Sequence, residues 1–347
     1  MSPRVLLLPV AAIYWAVTCV RNWLYNIHVL PSRTFSKPVI CVGNITVGGT
    51  GKTPVIESIA SLLVAQGKRV AVVSRGYRRK SRGLIIAKVN TPAQMIGDEP
   101  RQIKSHLPMA DVIVDSDRAA AIDTAIERGA DVVLMDDGMQ HRSVTPSALI
   151  LVCDYARPLW RDFPLPAGNK RESMYCRLRA DAVVVNKCPA SLSINEAEEI
   201  FRHLSLNDGQ RIFFTSIAYA NFISSDGNAL SDSALAQRGA VAVAGIGRPK
   251  PFFDEVRQRL DNSQLKTLAF ADHHAFSAQD LKHIEALLDE AGPDSVLVTT
   301  EKDATRLPAQ IASHTVASLP IKLDVLLGDS HKFNELITHF ASSPYTK

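Results

Sequence analysis

Pro38-Val39-Ile40-Cys41-Val42-Gly43-Asn44-Ile45-Thr46-Val47-Gly48-Gly49-Thr50-Gly51-Lys52-Thr53-Pro54 is the stretch of this 347-residue chain that decides its fold. An apolar run typical of a β-strand leads into a glycine-rich turn that ends on Gly-Lys-Thr. Pro54 suits the first turn of a helix, where its missing N–H is not needed. This order predicts a phosphate-binding loop, although the strict pattern has glycine where Thr46 stands. An ordinary glycine turn is the alternative.

The loop residues have separate predicted roles in binding a nucleotide. The glycines let backbone N–H groups approach phosphate oxygens. Lys52 would reach the β- and γ-phosphates, and the Thr53 hydroxyl would bind Mg²⁺. The predicted nucleotide-binding residues are Thr46, Val47, Gly48, Gly49, Thr50, Gly51, Lys52 and Thr53.

Composition excludes several classes of protein. Apolar residues make up 46% of the chain, which is enough for a full core. The net charge of +4 is not concentrated in one run, so we expect no nucleic-acid partner and consider anionic lipid or a phosphorylated substrate instead. The five cysteines are odd in number and widely spaced, which favours reduced thiols over disulfides or a zinc site.

The amino-terminal segment predicts a membrane-associated helix over residues 1–30. Residues 5–20 carry no charge, slightly fewer residues than the ~20 that span a bilayer. Trp15, Trp23 and Tyr25 suit an interface. We expect an anchor that spans or partly enters the membrane, with a buried core helix as the alternative. The basic residues that follow the segment place the body of the protein in the cytoplasm.

Short apolar strands alternate with helices along the rest of the chain. This pattern predicts an α/β fold: a P-loop NTPase-like, mostly parallel sheet with helices on both faces, and a second, smaller α/β lobe. We predict a nucleotide-binding and catalytic lobe at 31–220 and a smaller lobe at 221–347 that closes a cleft. The region 221–232 reads as a loop between them. Strands at 211–215, 241–244, 265–270, 295–299 and 321–325 are predicted for the second half of the chain.

Acidic residues follow several predicted strands. Asp136 ends a buried strand, where a metal-binding carboxylate belongs, and Asp137 beside it would point the other way. A solvated Asp-Asp-Gly turn is the alternative. Asp98 is a possible base for an attacking hydroxyl, while Glu99 is either a functional acid or a first-turn residue that favours the helix dipole.

Two further motifs leave alternatives open. Asp272-His273-His274 is either an acid/base pair or the end of a strand. The basic loop that contains Arg75 would hold a substrate phosphate, face lipid head groups or remain solvated. Asn186-Lys187-Cys188-Pro189 is close to the guanine-binding pattern Asn-Lys-x-Asp, but Pro189 replaces the acid and removes its main support.

Taken in order, these motifs resemble the tetraacyldisaccharide 4′-kinase family over nearly the whole chain. The matching stretches are residues 43–54, Ser74-Arg75-Gly76-Tyr77, Gly97-Asp98-Glu99-Pro100, Asp136-Asp137-Gly138-Met139-Gln140-His141, Leu165-Pro166-Ala167-Gly168, Asp272-His273-His274 and Thr300-Glu301-Lys302-Asp303.

The resemblance implies transfer of the ATP γ-phosphate to the 4′-hydroxyl of a tetraacylated glucosamine disaccharide 1-phosphate, in lipid A biosynthesis. It implies ATP and Mg²⁺, an acylated substrate at the cytoplasmic face of the inner membrane, and no obligate protein partner. The implied catalytic residues are Asp98 as base, His273 as its partner, and Lys52. The implied metal residues are Thr53, Asp136 and Glu99, and the implied substrate residues are Arg75, Tyr77, Asp137, Gln140 and His141.

Two other classes of function remain as alternatives. A P-loop switch or metal-delivery ATPase would hydrolyse ATP slowly and act through protein partners. A membrane-anchored structural module with a vestigial loop would gain no stability from nucleotide.

Overall fold

The computed structural model describes residues 3–261, 265–272, 274–308, 310–311 and 314–343. The chain forms two compact units, one made of residues 1–217 and 323–347 and the other of residues 218–322. The strands are β1 (Val39–Gly43), β2 (Val70–Ser74), β3 (Ile85–Ile86), β4 (Asp111–Val114), β5 (Val132–Asp136), β6 (Ala148–Asp154), β7 (Ala182–Asn186), β8 (Arg211–Tyr219), β9 (Phe222–Ser224), β10 (Ala229–Leu230), β11 (Ala240–Ala244), β12 (Lys266–Ala269), β13 (Val296–Thr300), β14 (Gln310–Ile311), β15 (His314–Leu319) and β16 (Ile321–Val325). The helices are α1 (Leu8–Asn26), α2 (Lys52–Ala65), α3 (Ala93–Ile96), α4 (Asp98–His106), α5 (Arg118–Glu127), α6 (Ile194–Leu204), α7 (Asp232–Ala236), α8 (Lys250–Arg259), α9 (Ala278–Ala291), α10 (Glu301–Ala304) and α11 (Ser330–Phe340).

The first unit is built on a nine-stranded sheet with the order β16-β8-β7-β6-β1-β5-β2-β4-β3. The central pairs β1–β5, β1–β6, β2–β5 and β6–β7 are parallel, and β3 pairs with β4 in the antiparallel sense. Parallel strands end at one common edge, which is where ligands of such sheets bind. The loops after β1, β5, β6 and β7 are therefore neighbours.

Helices cover both faces of this sheet, as the sequence predicts. Val39 and Cys41 of β1 pack into the core that contains α5, while Ile40 and Val42 pack into the core that contains α2. All four are fully or almost fully buried. Burial on both faces explains why β1 is an unbroken apolar run and not an alternating one.

The second unit has a smaller sheet with the order β10-β9-β15-β13-β11-β12, with β14 beside β15. Its central pairs β11–β13 and β13–β15 are parallel. Helix α8 packs on one face and α9 on the other.

The domain prediction needs two corrections. The predicted boundary at 220 lies close to the observed one, but the chain returns to the first unit at residue 323 instead of remaining in the smaller lobe. Strand β16, predicted for that lobe, lies at the edge of the nine-stranded sheet beside β8. The predicted loop at 221–232 contains β9, β10 and the start of α7, because its polar residues are stabilised by pairing with β15.

Helix α1 is not a core helix, since only Ala11 and Thr18 are buried among its residues. Its polar side contacts the segment 171–172 of the same unit: Tyr14 Oη donates to Arg171 O at 2.9 Å, and Asn22 Nδ2 donates to Glu172 Oε1 at 2.9 Å. Within the described ranges no helix, α1 included, is both long and apolar enough to cross a bilayer.

Candidate functional site

The predicted phosphate loop is the turn between β1 and α2. Gly48 and Gly51 have φ angles of +94° and +85°, in the left-handed region that favours glycine. Gly51 precedes the first residue of α2 and has no side chain to accept from the first helical N–H groups. Those N–H groups and the helix dipole are thus available to an anion placed before α2.

The amino-terminal half of the loop is held by the segment 169–171. Val47 N–H donates to Asn169 O at 2.7 Å, and Arg171 N–H donates to Ile45 O at 2.7 Å. Thr46 is buried and pairs with Lys170 in an isolated antiparallel bridge. The backbone N–H of Val47 is therefore committed to the protein, while Gly48 and Gly49 are exposed.

Asp137 joins the phosphate loop to this segment. Its carboxylate lies 3.4 Å from Lys52 Nζ and accepts hydrogen bonds of 3.1 and 3.0 Å from the two terminal nitrogens of Arg171. Arg171 also donates to Asn44 Oδ1. Although burial alone raises the pKa of Asp137, the charges of Lys52 and Arg171 hold it below its ordinary value.

Asp136 occupies a different environment from Asp137. It is the last residue of β5, is buried, and accepts a 3.0 Å hydrogen bond from Ser74 Oγ at the end of β2. Burial raises the pKa of Asp136 to about 6; Lys52 opposes this rise, and Asp137 and Glu99 add to it. Glu99 is thus close enough to Asp136 for its charge to act on that carboxyl group.

Asp98 and Glu99 open α4 after Gly97, whose φ is +95°. A Cβ on Gly97 would lie 3.1 Å from Tyr77 O and 3.2 Å from Gly76 Cα, so the backbones of these two predicted motifs are packed together. His273, the predicted partner of Asp98, lies outside the described residues.

The predicted substrate residues lie in two places: Gln140 lies beside the phosphate loop, whereas His141 and Tyr77 lie near the basic loop that contains Arg75. Gln140 Nε2 donates to Asn44 O at 2.8 Å and to Glu172 Oε2 at 3.1 Å, beside the phosphate loop. His141 is close enough to Arg75 to be affected by its charge, and burial first, then Arg118, lowers the pKa of His141. Tyr77 is mostly exposed, with the Arg78 guanidinium 5.5 Å from its ring centre.

Several residues at the site have no role predicted from the sequence. Arg171 and Asn44 are two of them. Arg118 is a third: it is buried at the start of α5, donates to Asp115 O at 2.6 Å, and has no hydrogen-bond partner for Nε within the described part of the chain. Its place directly after β4, at the ligand-binding edge of the sheet, is the signal that was available in the sequence.

The fold and the site together define the class of protein. A parallel sheet with a Gly-Lys-Thr loop after its central strand, and a buried carboxylate at the end of the adjacent strand, is the nucleotide-binding core of a P-loop protein. A family model described as LpxK, tetraacyldisaccharide-1-P 4′-kinase, matches residues 3–342. The chain belongs to this family.

Individual relatives agree with that assignment. The chain is 39% identical over 350 residues to a tetraacyldisaccharide 4′-kinase of Bacteroides thetaiotaomicron, covering 95% of this chain and 91% of the relative. It is 40% identical over 321 residues to one from Porphyromonas gingivalis, covering 90% and 89%. The crystal structure of LpxK from Aquifex aeolicus in complex with ATP matches with a TM-score of 0.77 and 29% identity, over 97% of this chain and 99% of that one.

Proposed function

We propose that the protein is an ATP-dependent kinase that transfers the γ-phosphate to the 4′-hydroxyl of a tetraacylated glucosamine disaccharide 1-phosphate. The observation that carries this proposal is the phosphate loop whose Lys52 contacts Asp137, the carboxylate that Arg171 also binds, in a chain that belongs to the 4′-kinase family. The switch or metal-delivery ATPase is not favoured, because the relatives described above are named as kinases.

The loop residues would bind and orient the triphosphate. The N–H groups at the start of α2 and the Lys52 ammonium would balance charge on the phosphoryl group as it moves. In this arrangement Arg171 and Asp137 would keep Lys52 in place, because the Asp137 carboxylate lies between the two cations.

Mg²⁺ would be held by the Thr53 hydroxyl and the Asp136 carboxylate, with Glu99 as a helper. Hard oxygen donors suit this ion, and a bound cation would favour the charged form of Asp136, whose pKa is raised first by burial and then by Asp137 and Glu99. Among the described residues no three His, Cys, Asp or Glu side chains form a ready metal cluster. The nucleotide and water would therefore supply the other ligands, and the bound ion would neutralise phosphate charge.

Asp98 would accept the proton of the attacking sugar hydroxyl, and the family resemblance pairs His273 with it as its partner in this role. A sugar hydroxyl is a weak nucleophile at neutral pH, so a base within hydrogen-bond reach is needed. Arg75, Gln140 and His141 would contact the sugar phosphate portion of the acceptor, and Tyr77 would contact it from the exposed loop.

The acylated acceptor stays in a bilayer, so the protein would work at the cytoplasmic face of the inner membrane. The exposed apolar side chains of α1 include Val10, Ile13, Val17 and Val20, which lie along one side of the helix because they are spaced by three or four residues. This row would enter the interface while the opposite side of α1 stays on the protein.

The test is phosphate transfer in mixed micelles that contain MgATP and the tetraacylated disaccharide 1-phosphate. We expect labelled phosphate at the 4′ position, and at least a roughly 100-fold lower kcat for Asp98→Asn with nucleotide binding retained. Asp208→Asn, the same change at an exposed turn, is the control. Wild-type protein that hydrolyses ATP without phosphorylating the acceptor would favour the switch ATPase instead.

A further inference from the structure

Asn186, at the end of β7, contacts the phosphate loop from a strand that the proposed catalytic roles do not use. It is completely buried. Its Nδ2 donates to Thr50 O and to Gly51 O, both at 3.2 Å. A Cβ on Gly51 would lie 2.1 Å from that nitrogen, so the contact requires glycine in the loop.

The amide of Asn186 is itself fixed in orientation. Its Oδ1 accepts from Thr215 Oγ1 of β8 at 3.0 Å and from Lys187 N–H at 2.7 Å. Two accepted and two donated hydrogen bonds use the full capacity of the side-chain amide. If the amide were rotated by 180°, its NH2 group would face the Lys187 N–H and its oxygen would face the carbonyl oxygens of Thr50 and Gly51. Only the observed orientation is therefore stable.

Lys187 adds a second contact to the same side of the loop. Its backbone has a φ of +62°, and its ammonium donates to Gly49 O. Asp154, buried at the end of β6, lies 3.6 Å from that ammonium and receives a 3.2 Å hydrogen bond from Arg157. The carbonyls of three successive loop residues are therefore held toward β6 and β7.

The direction of these carbonyls sets the direction of the loop N–H groups. The C=O of one residue and the N–H of the next belong to one planar trans peptide and point in opposite directions. When Asn186 holds the carbonyls of Thr50 and Gly51, the N–H groups of Gly51 and Lys52 turn to the other side of the loop. Those two N–H groups lead into α2, where a phosphate is expected.

We infer that Asn186, aligned by Thr215, is a positioning residue that orients the Gly51 and Lys52 N–H groups for the phosphates of the nucleotide. The inference rests on the proposed kinase function for its substrate, ATP, but it concerns nucleotide binding alone. In this role Asn186 and Lys187 contact the phosphate loop and not the base. The role therefore requires neither the acid that Pro189 replaces in the guanine-binding pattern nor a particular nucleobase.

The decisive variant is Asn186→Asp, which keeps the size of the side chain and replaces the two donated hydrogen bonds with repulsion between oxygens. We expect the affinity for ADP, measured by titration calorimetry without acceptor, to fall by about tenfold or more. Asn207→Asp makes the same change at an exposed position and should leave the affinity unchanged.

Thr215 provides a second, milder test. Thr215→Val removes the hydroxyl that holds Asn186 Oδ1 and should lower ADP affinity, whereas Thr215→Ser keeps the hydroxyl and should restore it to within about twofold of wild type. If Asn186→Asp does not fold, this pair decides, because valine has nearly the volume of threonine.

A kinetic comparison separates positioning from general weakening. We expect the KM for ATP to rise in Asn186→Asp and Thr215→Val while the KM for the lipid acceptor does not change. Wild-type ADP affinity in both variants, or equal rises in the two KM values, would overturn the inference. Wild-type protein that binds ADP but phosphorylates no acceptor would contradict the proposed function and leave the binding test valid.

Discussion

At the scale of single residues, the site depends on how opposite charges are matched around one carboxylate. Asp137 has a φ of +49°, and this turn directs it away from Asp136 toward Lys52 and Arg171. Two adjacent aspartates thereby have opposite pKa shifts, upward for Asp136 and downward for Asp137. The proposed division of roles follows: Asp136 for a cation, Asp137 for the alignment of Lys52.

Arg171→Lys tests whether geometry as well as charge matters at Asp137. Lysine keeps the positive charge but cannot make the paired hydrogen bonds to Asp137 and the third bond to Asn44. We expect kcat/KM to fall by about tenfold or more, with the larger part in kcat. Arg161→Lys, at an exposed position nearby, is the matched control, and equal activity of both variants would show that charge alone suffices.

At the scale of secondary structure elements, the sequence predicts a strand wherever an unbroken apolar run forms a buried strand of the sheet. β1, β2, β5, β6 and β7 are such runs, and every residue in them is buried. β15 was missed because it mixes polar and apolar residues. His314 at its start is buried only because Ser295 and Asp289 provide hydrogen bonds of 2.9 and 3.0 Å, and these partners are 19 and 25 residues away in the chain.

In the site too, only features that depend on neighbouring residues could be predicted from the sequence. Gly-Lys-Thr and the acid at the end of β5 are local patterns with a known chemistry, so they could be predicted. The bonds from Asn186 to Thr50 and from Arg171 to Asp137 join residues separated by 136 and 34 positions. No local pattern indicates such pairs, because they depend on the order of strands in the sheet.

The exposed apolar row of helix α1 leads to a prediction about membrane binding. Ile13 and Val17 are 68% and 63% exposed and lie one turn apart on its apolar row. Because burying an aliphatic side chain yields about 1.5–3 kcal/mol, replacing both with aspartate should lower binding to phosphatidylethanolamine–phosphatidylglycerol vesicles by at least tenfold.

Flotation of the vesicles with bound protein measures this effect. Met109→Asp with Ile194→Asp changes two exposed apolar residues outside α1, 83% and 66% exposed, and should leave vesicle binding intact. If the α1 variant floats with vesicles as wild type does, the helix is not the membrane contact.

At the scale of the whole molecule, the second unit is an insertion into the first. The chain leaves the first unit after residue 217 and re-enters it at residue 323, and β8 and β16 cross these two boundaries. The nine-stranded sheet is therefore completed by the last part of the chain. Helix α11 then packs beside α2, where Gln66 Nε2 donates to Thr338 Oγ1 at 2.8 Å.

Phe333 on α11 tests whether the carboxyl-terminal segment stabilises the nucleotide-binding unit. Its side chain is 2% exposed and meets the Phe213 ring edge-on at 5.1 Å between ring centres. Phe333→Ala should lower the free energy of unfolding of the first unit by about 3–5 kcal/mol, because it leaves a cavity between α11 and the sheet. His331→Ala, on the exposed side of the same helix, should change it little. In hydrogen exchange, Phe333→Ala should speed exchange in α2 and leave α9 of the second unit unchanged; equal acceleration in both helices would mean that the two units unfold together.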